Sequence, residues 1–182
     1  MSELITYDML PNELHLSLDD FTTLWEMIPD EFNYIHMYGK LIQTPRKYKV
    51  YGQPYNFPGM SVEIVEPIPS ILQPYLDYIN TLDGYTYNSV LINWYEGDHY
   101  IGFHADTTTH LVRGSNIYGI SFGEKRTMRF KAKDGNNLDY LLQNNSIINM
   151  HNGCQEVYKH SILKSKKLVN RRINITFRAV DV

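Results

Sequence analysis

Two histidines and a carboxylate in this chain could share one metal ion. In the stretch IGFHADTTTH at 101–110, His104 and Asp106 are two residues apart, so on a strand their side chains point the same way. His160 lies in a strand-like segment 56 residues after His104. Two histidines and one carboxylate on one side of a metal form the facial triad of non-haem Fe(II) oxygenases, which leaves positions open for a cosubstrate and O2. By itself a His-x-Asp pair is more often a structural pair than a metal site, so other residues must decide between these two interpretations.

The segment RRINITFRAV at 171–180 carries a second candidate group. Its apolar and polar residues alternate with a period of two, which predicts a strand. One face of this strand carries Arg172, Asn174, Thr176 and Arg178. Such a polar face usually points to solvent, but two guanidinium groups with an amide and a hydroxyl between them can also bind carboxylates bidentately. A small dicarboxylate held inside a barrel would need a wall of this kind.

The elements that must position these residues are two early helices followed by many strands. Helical spacing and cap signals predict helices at 19–28, with an aspartate cap, and at 68–82, with Ser70 as candidate cap and Pro74 in the first turn. A period of two then predicts strands at 88–95, 117–123, 126–133, 146–152, 156–163 and 171–180. This order favours an α+β fold in which helices pack outside a β-sandwich or jelly roll.

Composition excludes several classes of protein. The 182 residues suit one domain, and 43% hydrophobic and 13% aromatic residues exclude a disordered chain. We find no apolar run that could cross a membrane and no apolar signal core, so we expect an intracellular protein, cytoplasmic or nuclear and not secreted. The single cysteine, Cys154, excludes an internal disulfide and is expected to be a buried bystander. We expect a monomer.

Charge is distributed unevenly along the chain. Residues 1–112 carry 4 Lys or Arg and 15 Asp or Glu, whereas residues 113–182 carry 13 and 5. The basic C-terminal portion could face an anionic partner, although a simple composition bias would give the same numbers.

Taken together, the motifs resemble those of the AlkB family of Fe(II)- and 2-oxoglutarate-dependent dioxygenases. The resemblance covers about 36–180. NWY at 93–95 is similar to the family's N-x-Y, SFGEKRTMRF at 121–130 to its S-[LF]-G strand pair, and RINITFR at 172–178 to its terminal motif. The resemblance implies a single domain over 1–182 with a double-stranded β-helix (jelly-roll) catalytic core at about 88–180.

The resemblance also implies roles for individual residues. His104, Asp106 and His160 would be the catalytic Fe(II) ligands, with O2 and 2-oxoglutarate as cosubstrates. Arg172 and Arg178 would bind the 2-oxoglutarate carboxylates. The supporting donors would be Asn93, Tyr95, Asn174 and Thr176. The remaining histidines would be bystanders: His15, His36, His99, His110 and His151.

Upstream, residues 37–59 resemble the nucleotide-recognition lid of the DNA-repair branch, which we expect to be β-rich and to occupy about 36–60. Tyr38 corresponds to an aromatic wedge that enters the duplex, and Arg46 and Lys47 are placed to meet phosphates. Tyr55 and Phe57 correspond to aromatics that sandwich an extruded base. The alternative interpretation is that these aromatics pack under a loop.

The expected function is oxidative removal of N-alkyl groups from nucleic-acid bases, with DNA favoured over RNA. One departure affects the substrate. Repair enzymes usually carry acidic residues after His-x-Asp to contact the damaged base, but here the residues are Thr107 and Thr108. A hydroxyl supplies no charge to favour a cationic methylated base. Two alternatives are therefore a relative that acts on RNA or protein side chains and, more remotely, a non-catalytic nucleic-acid-binding module.

Overall fold

The computed structural model describes residues 4–37, 39–55 and 65–181. Within these ranges the chain forms twelve strands and three α-helices. The strands are β1 (Ile5–Met9), β2 (Tyr34–Met37), β3 (Lys40–Gln43), β4 (Lys47–Gly52), β5 (Ser89–Gly97), β6 (Ile101–His104), β7 (Ile117–Gly123), β8 (Arg126–Ala132), β9 (Asn137–Leu142), β10 (Ser146–Met150), β11 (Tyr158–Ile162) and β12 (Val169–Arg178). The helices are α1 (Leu18–Glu26), α2 (Gln73–Ile79) and α3 (Cys154–Val157).

The described strands form two larger antiparallel sheets and a separate hairpin. The six-stranded sheet has the order β1-β10-β7-β12-β5-β4, the four-stranded sheet β6-β11-β8-β9, and β2 pairs with β3. One core cluster combines side chains of both sheets, including Tyr95 and Ile148 from the first and Phe130 and Ile162 from the second. The sheets therefore pack through shared apolar faces, which is consistent with the predicted jelly roll.

A second core cluster joins the helices to the six-stranded sheet. Leu24 and Trp25 of α1 and Tyr75 of α2 pack with Trp94 and Phe122. The indole Nε1 of Trp94, whose side chain is fully buried, donates to the Leu24 carbonyl at 2.9 Å. The apolar stripe of each helix is thus what fixes its place on the sheet.

The first helix was predicted in nearly the right place but with the wrong cap. The hydroxyl of Ser17 accepts from the Asp20 amide at 3.0 Å, and Ser17 is the N-cap. The acidic residues Asp19 and Asp20 occupy the first turn instead, where a negative charge favours the helix dipole. The prediction of an aspartate cap is therefore wrong.

The second predicted helix is split. A 3-10 turn at Ser70–Leu72 leads into α2, whose first turn contains Pro74 as predicted. Neither segment has a side-chain cap, so the assignment of Ser70 as a cap is wrong. In the described part of the chain, no helix is long and apolar enough to cross a membrane.

Candidate metal and cosubstrate site

Two neighbouring strands and the loop that follows one of them bring the metal-ligand candidates together. His104 is the last residue of β6 and lies directly opposite His160 of β11, with ring centroids 4.3 Å apart. Asp106 lies just beyond the end of β6. One ligand atom from each residue falls within 4.8 Å of the other two. The strand that was predicted to carry both His104 and Asp106 therefore ends before Asp106, but the three side chains converge as expected.

The protonation states suit metal binding. His104 Nδ1 lies 2.9 Å from the Gly102 carbonyl, which can only accept, so Nδ1 carries the proton and Nε2 is left as a ligand. Nε2 of His104 and of His160 lie 3.5 and 3.7 Å from Asp106 Oδ1. Burial, helped by the neighbouring His104, lowers the pKa of His160 to about 3, so its imidazole is neutral. Neutral imidazoles and an ionised carboxylate are the forms that bind metal.

A guanidinium group keeps Asp106 ionised and oriented. Burial alone raises the pKa of a carboxyl, but Arg178 and the two histidines hold the pKa of Asp106 well below its ordinary value. Arg178 Nη2 donates to Asp106 Oδ2 at 2.6 Å, which turns the other oxygen, Oδ1, toward the histidines. The Asp106 carboxylate is thus held with Oδ1 directed at the two histidines.

Gln155 was missed by the sequence analysis. Its Oε1 accepts from the backbone amide of Asp106 at 2.9 Å, while its Nε2 donates to Met150 Sδ at 3.3 Å. It lies in α3, which occupies the start of the strand predicted at 156–163. Because Gln155 is far from Asp106 along the chain and in a short helix, no local pattern could have identified it.

The polar face of β12 points into the protein. Arg172, Thr176 and Arg178 are 0%, 7% and 3% exposed, since β12 lies between β5 and β7. Asn174 donates to the Ile120 carbonyl at 3.1 Å and accepts from Thr176 at 3.2 Å. The interpretation of this face as an ordinary solvent-exposed surface is therefore wrong.

The two arginines of this face have unused hydrogen-bond donors. Arg172 Nη2 donates to Ser121 Oγ at 3.0 Å, but Nε and Nη1 of both Arg172 and Arg178 are buried without a partner among the described residues. Burial and the charge of Arg126 lower the pKa of Arg172 to about 10, against the opposing effect of Tyr95. Buried guanidinium groups with free donors are costly unless an anion joins them. The wall therefore suits a carboxylate ligand.

The residues expected to support these arginines lie on the adjoining strand. In the pairing of β12 with β5, Tyr95 is opposite Arg172 and Asn93 is opposite Asn174. The Arg172 guanidinium lies 5.0 Å from the centre of the Tyr95 ring. Asn93 and Tyr95 thus lie beside the polar residues of β12, and their role in holding 2-oxoglutarate stays a prediction.

Arg126 is a further arginine that the sequence analysis did not assign to the site. It is 4% exposed, and its Nη2 donates to the carbonyls of His99 at 2.9 Å and Leu163 at 2.7 Å. Its Nη1 is buried and has no partner in the part of the chain that the structure describes, and its guanidinium lies 6.0 Å from the Tyr95 ring centre. The sequence did contain a signal for the burial of Arg126. Residues two apart on a strand share a face, and Arg126 therefore shares the face of the core residues Met128 and Phe130.

Arg46 does not lie where a phosphate could reach it. It is 7% exposed, donates from Nε to Asn93 Oδ1 at 2.6 Å and lies over the Tyr48 ring. The prediction that Arg46 meets phosphates is therefore wrong, because its side chain turns inward beside the wall. Lys47 is only partly buried, and its Nζ donates to the Asp30 carbonyl at 2.7 Å.

The lid aromatics are described only in part. Tyr55 is 2% exposed. Its ring centre lies 4.0 Å from the Arg178 guanidinium, and its hydroxyl donates to the Thr107 carbonyl at 3.1 Å. Thr107 is half-buried and Thr108 is exposed. Tyr38 and Phe57 lie outside the described residues.

The residues expected to be bystanders stay outside the metal-ligand cluster. The cluster found in the described ranges contains no histidine other than His104 and His160. His110 lies in a turn beyond the end of β6, as predicted. Cys154 is buried, and burial raises its pKa to about 12.

Comparisons with known proteins agree with this site. A family model described as the 2OG-Fe(II) oxygenase superfamily matches residues 32–178. Over 159 residues the chain is 31% identical to the DNA oxidative demethylase ALKBH2 of Homo sapiens, covering 80% of this chain and 60% of that protein. The protein of the same name from Bos taurus is also 31% identical over 159 residues, with 57% of its length covered.

A second group of relatives carries a different name. Over 150 residues the chain is 29% identical to the alpha-ketoglutarate-dependent dioxygenase alkB homolog 3 of Homo sapiens, covering 76% of this chain and 52% of that protein. The chain thus spans about half to three fifths of the length of these relatives. The matched family model covers most of the chain, and the relatives carry AlkB names, so the resemblance seen in the motifs is confirmed. The chain belongs to the AlkB family of the 2OG-Fe(II) oxygenase superfamily.

Proposed function

We propose that this chain is an Fe(II)- and 2-oxoglutarate-dependent oxidative demethylase that removes N-alkyl groups from nucleic-acid bases, with DNA as the preferred substrate. One observation carries the proposal: His104, Asp106 and His160 converge within 4.8 Å beside the buried Arg178, two of whose donor nitrogens have no partner among the described residues. The name of the ALKBH2 relatives, DNA oxidative demethylase, supports the choice of substrate.

The donor set fits Fe(II). Two imidazoles and one ionised carboxylate on one side of an ion leave the opposite positions open. Bound there, Fe(II) supplies the O2-dependent oxidation of the alkyl group while 2-oxoglutarate is converted to succinate and CO2. The protein's task is to hold the ligands and to place the substrate. Arg178 and Gln155 carry out the first part by fixing Asp106.

The arginine wall fits 2-oxoglutarate. Arg172 and Arg178 are six residues apart on one face, so their Cα atoms are about 20 Å apart and two long side chains reaching inward leave room for a short dicarboxylate. Arg178 lies beside the metal ligands and Arg172 at the far end, next to Tyr95. We assign one carboxylate to each arginine. Asn93, Tyr95, Asn174 and Thr176 then complete the wall.

The substrate approaches from the side of His104. The side chain of His104 is 36% exposed, whereas those of Asp106 and His160 are 6% and 7% exposed. Thr107 follows Asp106 in the chain, and its carbonyl accepts from the hydroxyl of the buried Tyr55. We assign the region around 36–60 to nucleotide recognition, with Tyr38 as the wedge, Tyr55 and Phe57 against the flipped base and Lys47 facing phosphate. Thr107 and Thr108 then face the base edge.

The cellular setting follows the same proposal. The single cysteine, Cys154, is buried and unpaired, which suits a reducing compartment. We propose that the protein acts as a monomer inside the cell, in the cytoplasm or nucleus.

The test is a demethylation panel. Single- and double-stranded DNA, RNA and a methylated peptide are incubated with the protein, Fe(II), 2-oxoglutarate and O2, and loss of the methyl group is followed by mass spectrometry. We expect demethylated DNA with the wild-type protein, none with His160→Ala, and full activity with the control His110→Ala. Turnover of the peptide alone would contradict the proposal, and turnover of RNA alone would correct the substrate.

A further inference from the structure

Arg46 is a buried cation at the edge of the cosubstrate site. It directly precedes β4, which lies next to β5 at one end of the six-stranded sheet. It is 7% exposed, and its guanidinium lies 5.2 Å from the centre of the Tyr48 ring. Burying a charge is costly unless the charge is paired and hydrogen-bonded. The group that hydrogen-bonds to Arg46 therefore indicates what this residue does.

The hydrogen bond of the Arg46 side chain fixes the orientation of an amide. Arg46 Nε donates to Asn93 Oδ1 at 2.6 Å. A guanidinium has only donors, so the end of the Asn93 amide that faces it must be the oxygen, and the opposite end is Nδ2. Asn93 is 4% exposed, so bulk water does not compete for this contact. Arg46 thus determines that the end of the amide directed away from it is a donor.

Asn93 lies in a polar row that crosses the six-stranded sheet. In the strand pairing, Tyr48 of β4 lies on one side of Asn93 and Asn174 of β12 on the other, and such cross-strand neighbours share a face of the sheet. Asn174 lies between Arg172 and Arg178 on the polar face of β12. Asn93 therefore adjoins the space between the two arginines that we assign to the cosubstrate carboxylates. A carboxylate in that space needs donors, and an amide oxygen directed at it would repel it.

The main chain around Arg46 is fixed by further hydrogen bonds. The Thr44 hydroxyl donates to the Arg46 carbonyl at 2.7 Å, and the Thr44 amide donates to the Asn33 carbonyl at 2.8 Å. On the other side of Arg46, the Tyr48 amide donates to Asn33 Oδ1 at 2.8 Å. Thr44 itself is 3% exposed. A side chain that orients another must itself be held in place, and these contacts hold Arg46.

From this arrangement we propose that Arg46 is a positioning residue for cosubstrate binding, which holds the Asn93 amide with its donor end, Nδ2, toward 2-oxoglutarate. Without the guanidinium, the amide can turn over and present its oxygen to a dianion. Arg46 acts through Asn93 and does not contact the ligand. This inference rests on the proposed function, in which Asn93 supports the binding of 2-oxoglutarate.

The experiment measures cosubstrate affinity without turnover. 2-Oxoglutarate is titrated calorimetrically into the protein loaded with Mn(II), and Mn(II) affinity is measured separately. Arg46→Met removes every donor, so we expect the Kd for 2-oxoglutarate to rise about tenfold or more while the Mn(II) affinity stays unchanged. Arg46→Gln places an amide nitrogen where Arg46 has Nε, and is expected to recover most of the affinity. Lys49→Met is the control, because it removes a cation of β4 that pairs with Glu66 at 2.7 Å; it should keep the wild-type Kd.

A double-mutant cycle separates positioning from direct contact. If Arg46 acts through Asn93, Arg46→Met adds nothing to the rise in Kd caused by Asn93→Ala, whereas two independent contacts give rises that multiply. Multiplying rises, or an unchanged Kd in Arg46→Met, would overturn the inference and leave the proposed function intact. A wild-type protein that does not bind 2-oxoglutarate would overturn both.

Thermal unfolding shows whether each variant is folded. Replacing a buried charge by an apolar side chain is often tolerated. Arg46→Gln decides the question even if Arg46→Met does not fold, because a tenfold rise in Kd in Arg46→Gln would show that the charge of Arg46, and not its donated hydrogen bond, supports the cosubstrate.

Discussion

At the scale of single residues, the site depends on groups that orient Asp106 without binding the metal themselves. Gln155 accepts from the Asp106 backbone amide, so Gln155→Leu keeps the size of the side chain but removes the acceptor. Loss of such a supporting contact typically weakens metal binding about 10- to 100-fold. Calorimetric titration with Mn(II) measures the change. Glu156→Gln alters the exposed neighbour and should leave the affinity unchanged; an equal loss in both variants would point to a general disturbance of α3.

Arg126 is predicted to bind the far carboxylate of 2-oxoglutarate together with Arg172. Its Nη1, which has no partner among the described residues, and its position over Tyr95 place it at that end of the wall. Hydrogen bonds to a charged group are worth about 1.5–3 kcal/mol, so Arg126→Gln should raise the KM for 2-oxoglutarate roughly tenfold or more while changing kcat little.

The control for Arg126 lies on the same strand. Arg129 is paired with Asp139 at the surface, and Arg129→Gln should leave the KM for 2-oxoglutarate at its wild-type value. A loss of kcat without a change in KM in Arg126→Gln would instead assign that residue to packing.

At the scale of elements, the turn after β4 must be tight for Tyr55 to reach the site. Gly52 ends β4 with φ of +80°, and a Cβ there would lie 2.3 Å from the Asn88 carbonyl oxygen. Gly52→Ala should therefore lower the free energy of unfolding by about 1–3 kcal/mol or more. Gly135 has a similar φ of +92° but open space around it, so Gly135→Ala isolates the backbone strain. Thermal unfolding of both variants measures the difference; equal losses would show that the contact with Asn88 is unimportant.

Sequence patterns predicted the central strands well and the edges poorly. Strand β12 alternates strictly from Arg172 to Arg178 and was predicted within about two residues, and the almost fully buried β7 was predicted at its observed bounds. Strands β1 and β9 lie at sheet edges, where one-sided burial weakens the pattern, and neither was predicted. The metal ligands and the wall came from motifs. Gln155 and the inward turn of Arg46 depend on contacts between distant segments, which no local pattern records.

At the scale of the whole molecule, the uneven charge distribution predicts salt-dependent binding of nucleic acid. Each phosphate contact steepens the slope of log K against log salt by about 0.9 on duplex and 0.7 on single strands. Arg46 is buried and Lys47 is only partly buried. Lys47→Gln should therefore reduce the slope by the value of one phosphate contact, about 0.9 on duplex DNA, whereas Arg46→Gln should leave the slope unchanged. Fluorescence anisotropy with labelled DNA at several salt concentrations measures the slope for each variant. A reduced slope in Arg46→Gln would return that residue to the phosphate surface.

One cluster of side chains is predicted to bind the metal and the cosubstrate side by side. Under anaerobic conditions, a 2-oxo acid that chelates Fe(II) gives a visible charge-transfer absorption, which reports both ligands at one ion. We predict that this absorption appears at one equivalent of Fe(II) per chain on addition of 2-oxoglutarate, persists in His110→Ala and disappears in His160→Ala. An unchanged absorption in His160→Ala, or none in the wild-type protein, would contradict the assignment of His104, Asp106 and His160 as the iron site.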